Sequence, residues 1–389
     1  MARRLSQRRS KRRILKPPPR FLIVALLGAL AILIVVFFGW RRWLAARPLA
    51  EPERRQIALR LRGSIVRAGG RQIWVKEPPY ASFPPRRADA AAEAVVASSI
   101  FPAVLSAMEG QAQREGLEMK TRIAAARQPA GWRLADIRLA RGRQPAGRWL
   151  IREVGQLRRA AIIIDDLGQD LPAADELIAL PYPLTFSVLP HLPHSAKTAE
   201  EAHRGGREVM LHLPLEPESS AKPGPGEIRV GMREAEVDRI VDDDLSSVPY
   251  VAGVNNHMGS RATADAVLMR EVIKALAERR LFFVDSRTTA KSVAFEVARK
   301  EGLPTFFRSV FLDDTETVAY TLGQLREFRH VVEVEGASLA IGHPYPSTIQ
   351  ALGRFLPEFE RNDIQLVPAS ELLSLPEAAH LQPPPAPQP

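Results

Sequence analysis

From Ala160 to Val367 the chain repeats one unit. A short apolar run ends in polar or ionisable residues, and a helix-like stretch leads to the next run. Eight such runs occur. Ala161–Ile164 runs into Asp165-Asp166, Val209–Leu211 into His212, Val251–Val254 into Asn255-Asn256-His257, and Leu281–Val284 into Asp285-Ser286. Ser338–Ile341 leads through Gly342 to His343. A strand buried on both faces reads as a continuous apolar run. Strands alternating with helices imply a parallel sheet with right-handed crossovers. Eight strands with seven helices between them favour a closed or nearly closed (β/α) barrel over an open sheet, and in such a barrel the C-terminal strand ends converge on one rim.

The other strands are expected at Leu184–Leu189, Thr305–Phe307 and Ile364–Val367. Helices are expected at Asp170–Leu180, Ser195–Gly205, Arg233–Ser246, Thr263–Arg280, Lys291–Glu301, Thr315–Glu335 and Ser347–Arg361. This barrel unit spans 158–375. The tail from Pro376 to Pro389 ends in a proline-rich run without core-forming residues and is expected to be extended or disordered.

The formal charge of +10 invites a nucleic-acid reading, but its placement argues otherwise. Residues 1–20 carry nine Lys and Arg and no acid, and Arg41-Arg42 add two. Setting those eleven aside from the 54 basic residues leaves about −1 against the 44 acids. The positive charge therefore flanks Phe21–Trp40, an uncharged stretch of the roughly 20 residues that span a bilayer core. Trp40 and Trp43 stand at its far end, where interfacial aromatics concentrate. The heavier positive flank is N-terminal, so a single-pass inner-membrane anchor is expected, with a cytoplasmic N-terminus and an exported C-terminal part. A cleaved signal peptide, with Leu44-Ala45-Ala46 as its site, is the alternative; its apolar region is usually only about 7–15 residues long.

Residues 53–157 read as a small membrane-proximal α/β module without recognisable chemistry. Strands are expected at Gln72–Lys76, Trp132–Leu139 and Arg148–Val154, and Ala88–Gln113 reads as a helix that Pro102 kinks or splits. Its Arg-rich strands fit a solvated basic face better than a polymer-binding one. With no cysteine in the chain, any metal must be held by His and carboxylates.

Two adjacent carboxylates after an apolar strand, Asp165 and Asp166, repel one another unless a cation sits between them or one takes a proton. A metal-dependent hydrolase uses such a pair, one Asp as ligand and one as proton acceptor. Either could equally cap the following turn. His212 alone reads as a hydrogen-bonded core residue. His257 stands among small and polar residues, and His343 is held between Gly342 and Pro344 in a rigid loop. Asp285 and Asp313 also end apolar runs, and Arg308 lies near Asp313; each has a plain reading as helix cap or ion pair. It is the arrival of all of them at one rim that points to a site.

Ile162–Gly168, Leu211–Pro217, Asn256–Ser260, Val310–Asp313 and Ile341–Pro344, in this order, resemble the divergent polysaccharide deacetylase family. These are distant relatives of the carbohydrate esterases that remove N-acetyl groups from chitin-like oligomers and peptidoglycan. The resemblance covers about 158–375 and implies an irregular (β/α) barrel of seven or eight parallel strands. It implies Asp165 as catalytic base, Asp166 as metal ligand, His212 as the first metal-binding His, and His343 as the acid that protonates the leaving amine. Glu216 stands where the esterases carry their second His, which His257 replaces from the next strand. The esterases' Arg-x-Pro-x-Gly motif has no counterpart here. Asp285 and Asp313 are then expected to orient the histidines, with Arg308, Glu216 and Asn256 as further supporting or substrate residues. The expected cofactor is a divalent metal, zinc first. The expected partner is a cell-envelope glycan such as peptidoglycan or another N-acetylated polysaccharide, and no nucleic acid. The alternative is a barrel without catalysis, serving as a glycan-binding or scaffolding module.

Overall fold

Each of the eight apolar runs forms a strand in the computed structural model, which describes residues 19–45, 47–76, 91–125 and 133–373. The basic N-terminus before Pro19, Pro78-Pro79, Trp132 and the proline-rich tail lie outside the described residues.

Helix α1 covers Pro19–Ala45, and its described side chains are exposed. Among the described residues, no helix is long and apolar enough to cross a membrane. A five-stranded sheet follows, backed by two helices. Its elements are α2 (Glu51–Gly69), β1 (Ile73–Lys76), β2 (Ala91–Ala97), α3 (Phe101–Arg114), β3 (Glu118–Ala125), β4 (Arg133–Arg141) and β5 (Gln144–Val154). The strand order is β1-β2-β5-β4-β3, with β2 and β5 parallel and the other pairs antiparallel. The expected helix over Ala88–Gln113 is thus corrected: its described first half is strand β2. Pro102 does not kink α3 but sits in its first turn, where a missing N–H leaves no bond unmade. Ala-rich spacing misled because alanine suits helices, whereas Val95 and Val96 are held in β2 by pairing with β1 and β5.

The second sheet contains nine strands: β6 (Arg158–Leu167), β7 (Thr185–Val188), β8 (Glu208–Leu215), β9 (Val251–Met258), β10 (Phe282–Asp285), β11 (Thr305–Phe307), β12 (Val310–Phe311), β13 (Ala337–Gly342) and β14 (Ile364–Leu366). Between them run α4 (Leu171–Ala179), α5 (Ser195–Arg204), α6 (Glu234–Ser247), α7 (Ala266–Glu278), α8 (Ala294–Lys300), α9 (Val318–Glu335) and α10 (Pro346–Arg361), and α11 (Ala369–Leu373) closes the series. The order is β11-β10-β9-β8-β7-β6-β13-β12, with β14 also on β6, and every pairing is parallel. The sheet curls as a barrel does but does not close. No ladder joins β11 to β12, the short strand that forms the ninth member.

Side-chain parity fixes what each strand offers the interior. On β6, Ile162 and Ile164 pack outward under the helices, while Ala161 and Ile163 join Met210, Val284, Leu339 and Ile341 inside the curl. Period two then carries Asp165 inward after Ile163, His212 after Met210, and His343 after Ile341. The polar residues at the strand ends are stacked on an apolar plug that fills the interior below them.

The first sheet has a core of its own, drawn from Leu49 to Ile151, and shares no member with the barrel clusters, which run from Ala160 to Leu372. The two units meet at polar contacts. Lys76 Nζ donates to Asp363 Oδ1 at 2.6 Å and to the Glu360 carbonyl at 3.0 Å, and Arg152 donates to Asp363 Oδ2 at 2.8 Å.

Candidate metal centre

Asp165 and Asp166 are consecutive on a strand, so a regular pleat would aim them at opposite faces. The strand is not regular there. The β6–β7 register shifts between Ile164 and Leu167, and Asp166 takes a left-handed backbone at φ 57°. Bulges of this kind re-aim a side chain. Gly168, at φ 114°, completes the turn where a Cβ would crowd the Ser195 hydroxyl and the Leu189 carbonyl and where the backbone itself disfavours any side chain. This local break gives both carboxylates one destination.

The destination is a point shared with two imidazoles. Asp166 Oδ1 lies 3.1 Å from His212 Nε2 and 3.0 Å from His257 Nδ1, and the two nitrogens are 3.1 Å apart. Among the described residues these form the one cluster of such groups suited to a metal ion. Zinc bonds of about 2.0–2.1 Å at tetrahedral angles separate ligand atoms by about 3.3 Å, so the triangle has nearly the size a divalent ion requires. Asp166 Oδ1 is buried and accepts no aligned hydrogen bond, an orphaned acceptor of the kind a cation would satisfy. A carboxylate with two imidazoles is also the donor set expected for zinc or a related ion.

Asp165 is buried beside this triangle, with Oδ2 3.6 Å from His212 Nε2 and Oδ1 accepting from Asn255 Nδ2 at 2.8 Å. Burial pushes its carboxyl upward, against the pull of His212, His343 and Asn255. Burial opposes ionisation of Asp166 too, but its contacts with His212 and His257 outweigh it and hold this carboxyl well below the usual range. Burial lowers His212 while Asp165 and Asp166 raise it, with a net upward shift.

His343 also reaches the cluster, its Nε2 3.8 Å from Asp166 Oδ2. Its Nδ1 meets Asp313 Oδ1 at 2.9 Å, and Asp313 Oδ2 accepts from the His343 backbone N–H and the Thr348 hydroxyl, both at 2.6 Å. Burial would lower His343, but Asp313, helped by Asp165 and Asp166, raises it to about 9. Phe311 and Tyr345 flank its ring, with centroids at 5.2 and 5.4 Å.

Four expected supporting residues make their own contacts outside the triangle. Asp285 contacts no histidine; it follows Val284, which points inward, so it faces the helices. There it accepts from the Arg287 N–H, the Ser292 hydroxyl and the Phe295 N–H. Asn256 likewise faces outward and braces the rim, bonding the Met258 carbonyl and the Ser286 N–H. Glu216 is taken up by the Val230 N–H and Arg261, so its carboxylate ties down a loop. Arg308 donates to the carbonyls of Ser286 and Arg287 and lies over the Phe311 ring at 4.5 Å, stitching the open seam.

The residue that sequence reasoning passed over is Asn255. It is fully buried and touches Ser187, His212, Asp165 and Ser286. Parity contained the signal: if His257 points inward from β9, Asn255 must too, and Asn256 cannot.

The sequence model of the divergent polysaccharide deacetylases matches residues 162–373. This chain belongs to that family. Among curated proteins, an uncharacterised Haemophilus influenzae protein is 39% identical over 212 residues, covering 54% of this chain and 74% of the relative. Escherichia coli YibQ, also uncharacterised, is 35% identical over 226 residues, covering 58% and 70%. Among solved structures, an uncharacterised Agrobacterium tumefaciens protein shares the fold at TM-score 0.54 and 24% identity, over 56% of this chain and 89% of its own. The divergent deacetylase match spans every residue of the triangle together with Asp165 and His343.

Proposed function

We propose that this chain is a membrane-anchored, metal-dependent hydrolase that removes N-acetyl groups from a cell-envelope glycan such as peptidoglycan. The observation that carries the reading is the triangle of Asp166, His212 and His257, with Asp165 and His343 both beside it. Family membership supports the substrate class.

In this reading Asp166, His212 and His257 hold the divalent ion, zinc first. When bound, the ion supplies Lewis acidity toward an amide carbonyl and toward water. Asp165 takes the proton of the attacking water; burial, which raises its carboxyl, makes it a stronger base than an exposed aspartate. His343, protonated at neutral pH by virtue of Asp313, gives its proton to the departing amine. Asp313 orients the imidazole and stabilises its charge. Phe311 and Tyr345 offer apolar ring surface beside that acid, suited to the carbon face of a sugar.

Anchoring rests on the uncharged stretch 21–40 behind nine positive charges, and on the exposed apolar side chains of α1, among them Val24, Leu33, Val35 and Phe38. The N-terminus then lies in the cytoplasm and the catalytic unit outside the inner membrane.

A second reading, a glycan-binding or scaffolding module without catalysis, draws on Glu216, which replaces a metal-binding His and is engaged by its own loop. The two part on acetate release from acetylated peptidoglycan fragments by the zinc-loaded protein. Release that disappears in Asp165→Asn and His343→Ala supports the hydrolase. Zinc uptake without release from any acetylated glycan tested promotes the binding module.

A further inference from the structure

Asn255 presents a carbonyl oxygen and an NH2 to four buried polar partners. Its Oδ1 faces two groups, the Ser187 hydroxyl at 2.5 Å and His212 Nδ1 at 3.0 Å. Its Nδ2 faces two others, Asp165 Oδ1 at 2.8 Å and the Ser286 hydroxyl at 3.2 Å. All four partners reach it inside the barrel, where Asn255, Ser187, His212, Asp165 and Ser286 are each at most 2% exposed. The two hydroxyls can serve as donor or acceptor, so His212 Nδ1 and Asp165 Oδ1 are the partners that set the orientation of the amide.

The Asn255 NH2 faces the Asp165 carboxyl, donating to Oδ1 at 2.8 Å. The carbonyl Oδ1 must then face His212, which leaves His212 Nδ1 as the donor. In a neutral imidazole with Nδ1 protonated, Nε2 carries the lone pair. Nε2 is the atom that faces Asp166 Oδ1 and His257 Nδ1. The reversed amide would set its carbonyl against the Asp165 carboxylate and its NH2 against His212 Nδ1. It would thereby put the imidazole proton on Nε2, in the middle of the triangle.

We propose that Asn255 is the positioning residue of this centre: it fixes His212 as the Nδ1–H tautomer and aims its Nε2 lone pair at the ion, while holding Asp165 beside it by the same amide. The proposal rests on the reading of the triangle as a divalent-metal site. Outer hydrogen-bond partners of this kind are worth roughly 10–100-fold in metal affinity.

Zinc titration of the chelator-stripped full-length protein and two variants tests it. Asn255→Leu keeps the volume and removes both polar atoms, and its zinc affinity should fall about 10–100-fold. Asn255→Asp restores an acceptor for His212 Nδ1–H, and its affinity should return to within a few-fold of wild type even though acetate release suffers beside Asp165. A merely structural role predicts the opposite order, because a second buried carboxylate disturbs the core more than a leucine does. Thermal melts of the ion-free proteins report whether each variant folds; if Asn255→Leu does not, Asn255→Ala carries the same arm. Wild-type affinity in the apolar variant, or an Asp variant as weak as it, overturns the role of Asn255 alone. Wild-type protein that takes up no zinc overturns the metal reading and this role with it.

Discussion

Asp313 holds His343 at two places at once, accepting from its backbone N–H at 2.6 Å and meeting its Nδ1 at 2.9 Å. The carboxylate therefore sets both the path of the loop and the orientation of the ring, and it leaves Nε2 turned toward Asp166. A group with folded pKa raised to about 9 stabilises the fold fully below its unfolded value of about 6.5. That stability is lost as pH rises through 9. Urea titrations of the chelator-treated protein at about pH 6 and about pH 9.5 should differ by on the order of 2–3 kcal/mol more than those of His343→Asn. Equal pH dependence in the two proteins would refute the assignment.

Asp166→Asn should keep the ion-free fold and lose the metal. Asparagine tolerates the left-handed backbone at φ 57° at least as well as aspartate does, but brings a neutral amide to the triangle. Zinc at about 100 times its Kd should stabilise the wild type by about 2.7 kcal/mol and this variant hardly at all. His212→Ala should behave alike. Full zinc stabilisation of either variant would place the ion elsewhere.

Asp285→Ala provides the contrast. Three donors lose their acceptor in the barrel wall, where unsatisfied groups cost about 1–3 kcal/mol each, so a loss of about 2–4 kcal/mol is expected with zinc affinity unchanged. Calorimetry of unfolding and of zinc binding would separate the two effects. A large fall in affinity without a fall in stability would restore Asp285 to the site.

Residues 158–373 should fold without the preceding module, because both barrel clusters draw every member from that range. Expressed alone, the fragment should melt cooperatively and bind zinc as the full chain does. In the full chain, Asp363→Ala should loosen the junction with Lys76 and Arg152 and expose it to proteolysis, without altering zinc affinity. A molten fragment would mean that the module completes the barrel.

A reporter enzyme fused after residue 60 should be active outside the cytoplasm and sediment with membranes, if the uncharged stretch is an uncleaved anchor. Cytoplasmic activity would refute the orientation; an exported but soluble product would indicate cleavage.

The sequence by itself determined the strand series, because a strand buried on both faces must be apolar throughout, and the barrel supplied such faces along most of the eight runs. It also determined which polar residues terminate those runs, and with them the family. Parity was legible as well: Ile163, Met210 and Ile341 already commit Asp165, His212 and His343 to the interior, and Val284 commits Asp285 away from it. What only the tertiary structure decided lies where the chain leaves the regular pleat. The register shift in β6 and the left-handed Asp166 turn a residue that period two sends outward back toward the triangle. Glu216 is drawn off by a loop residue and an arginine 14 and 45 positions away. Asn255 becomes central because Ser187, Asp165 and Ser286 arrive from three other strand ends. Spacing along one chain encodes the face a side chain takes; which partners meet it there is set by sheet order and by backbone breaks whose cost is offset only in the assembled barrel.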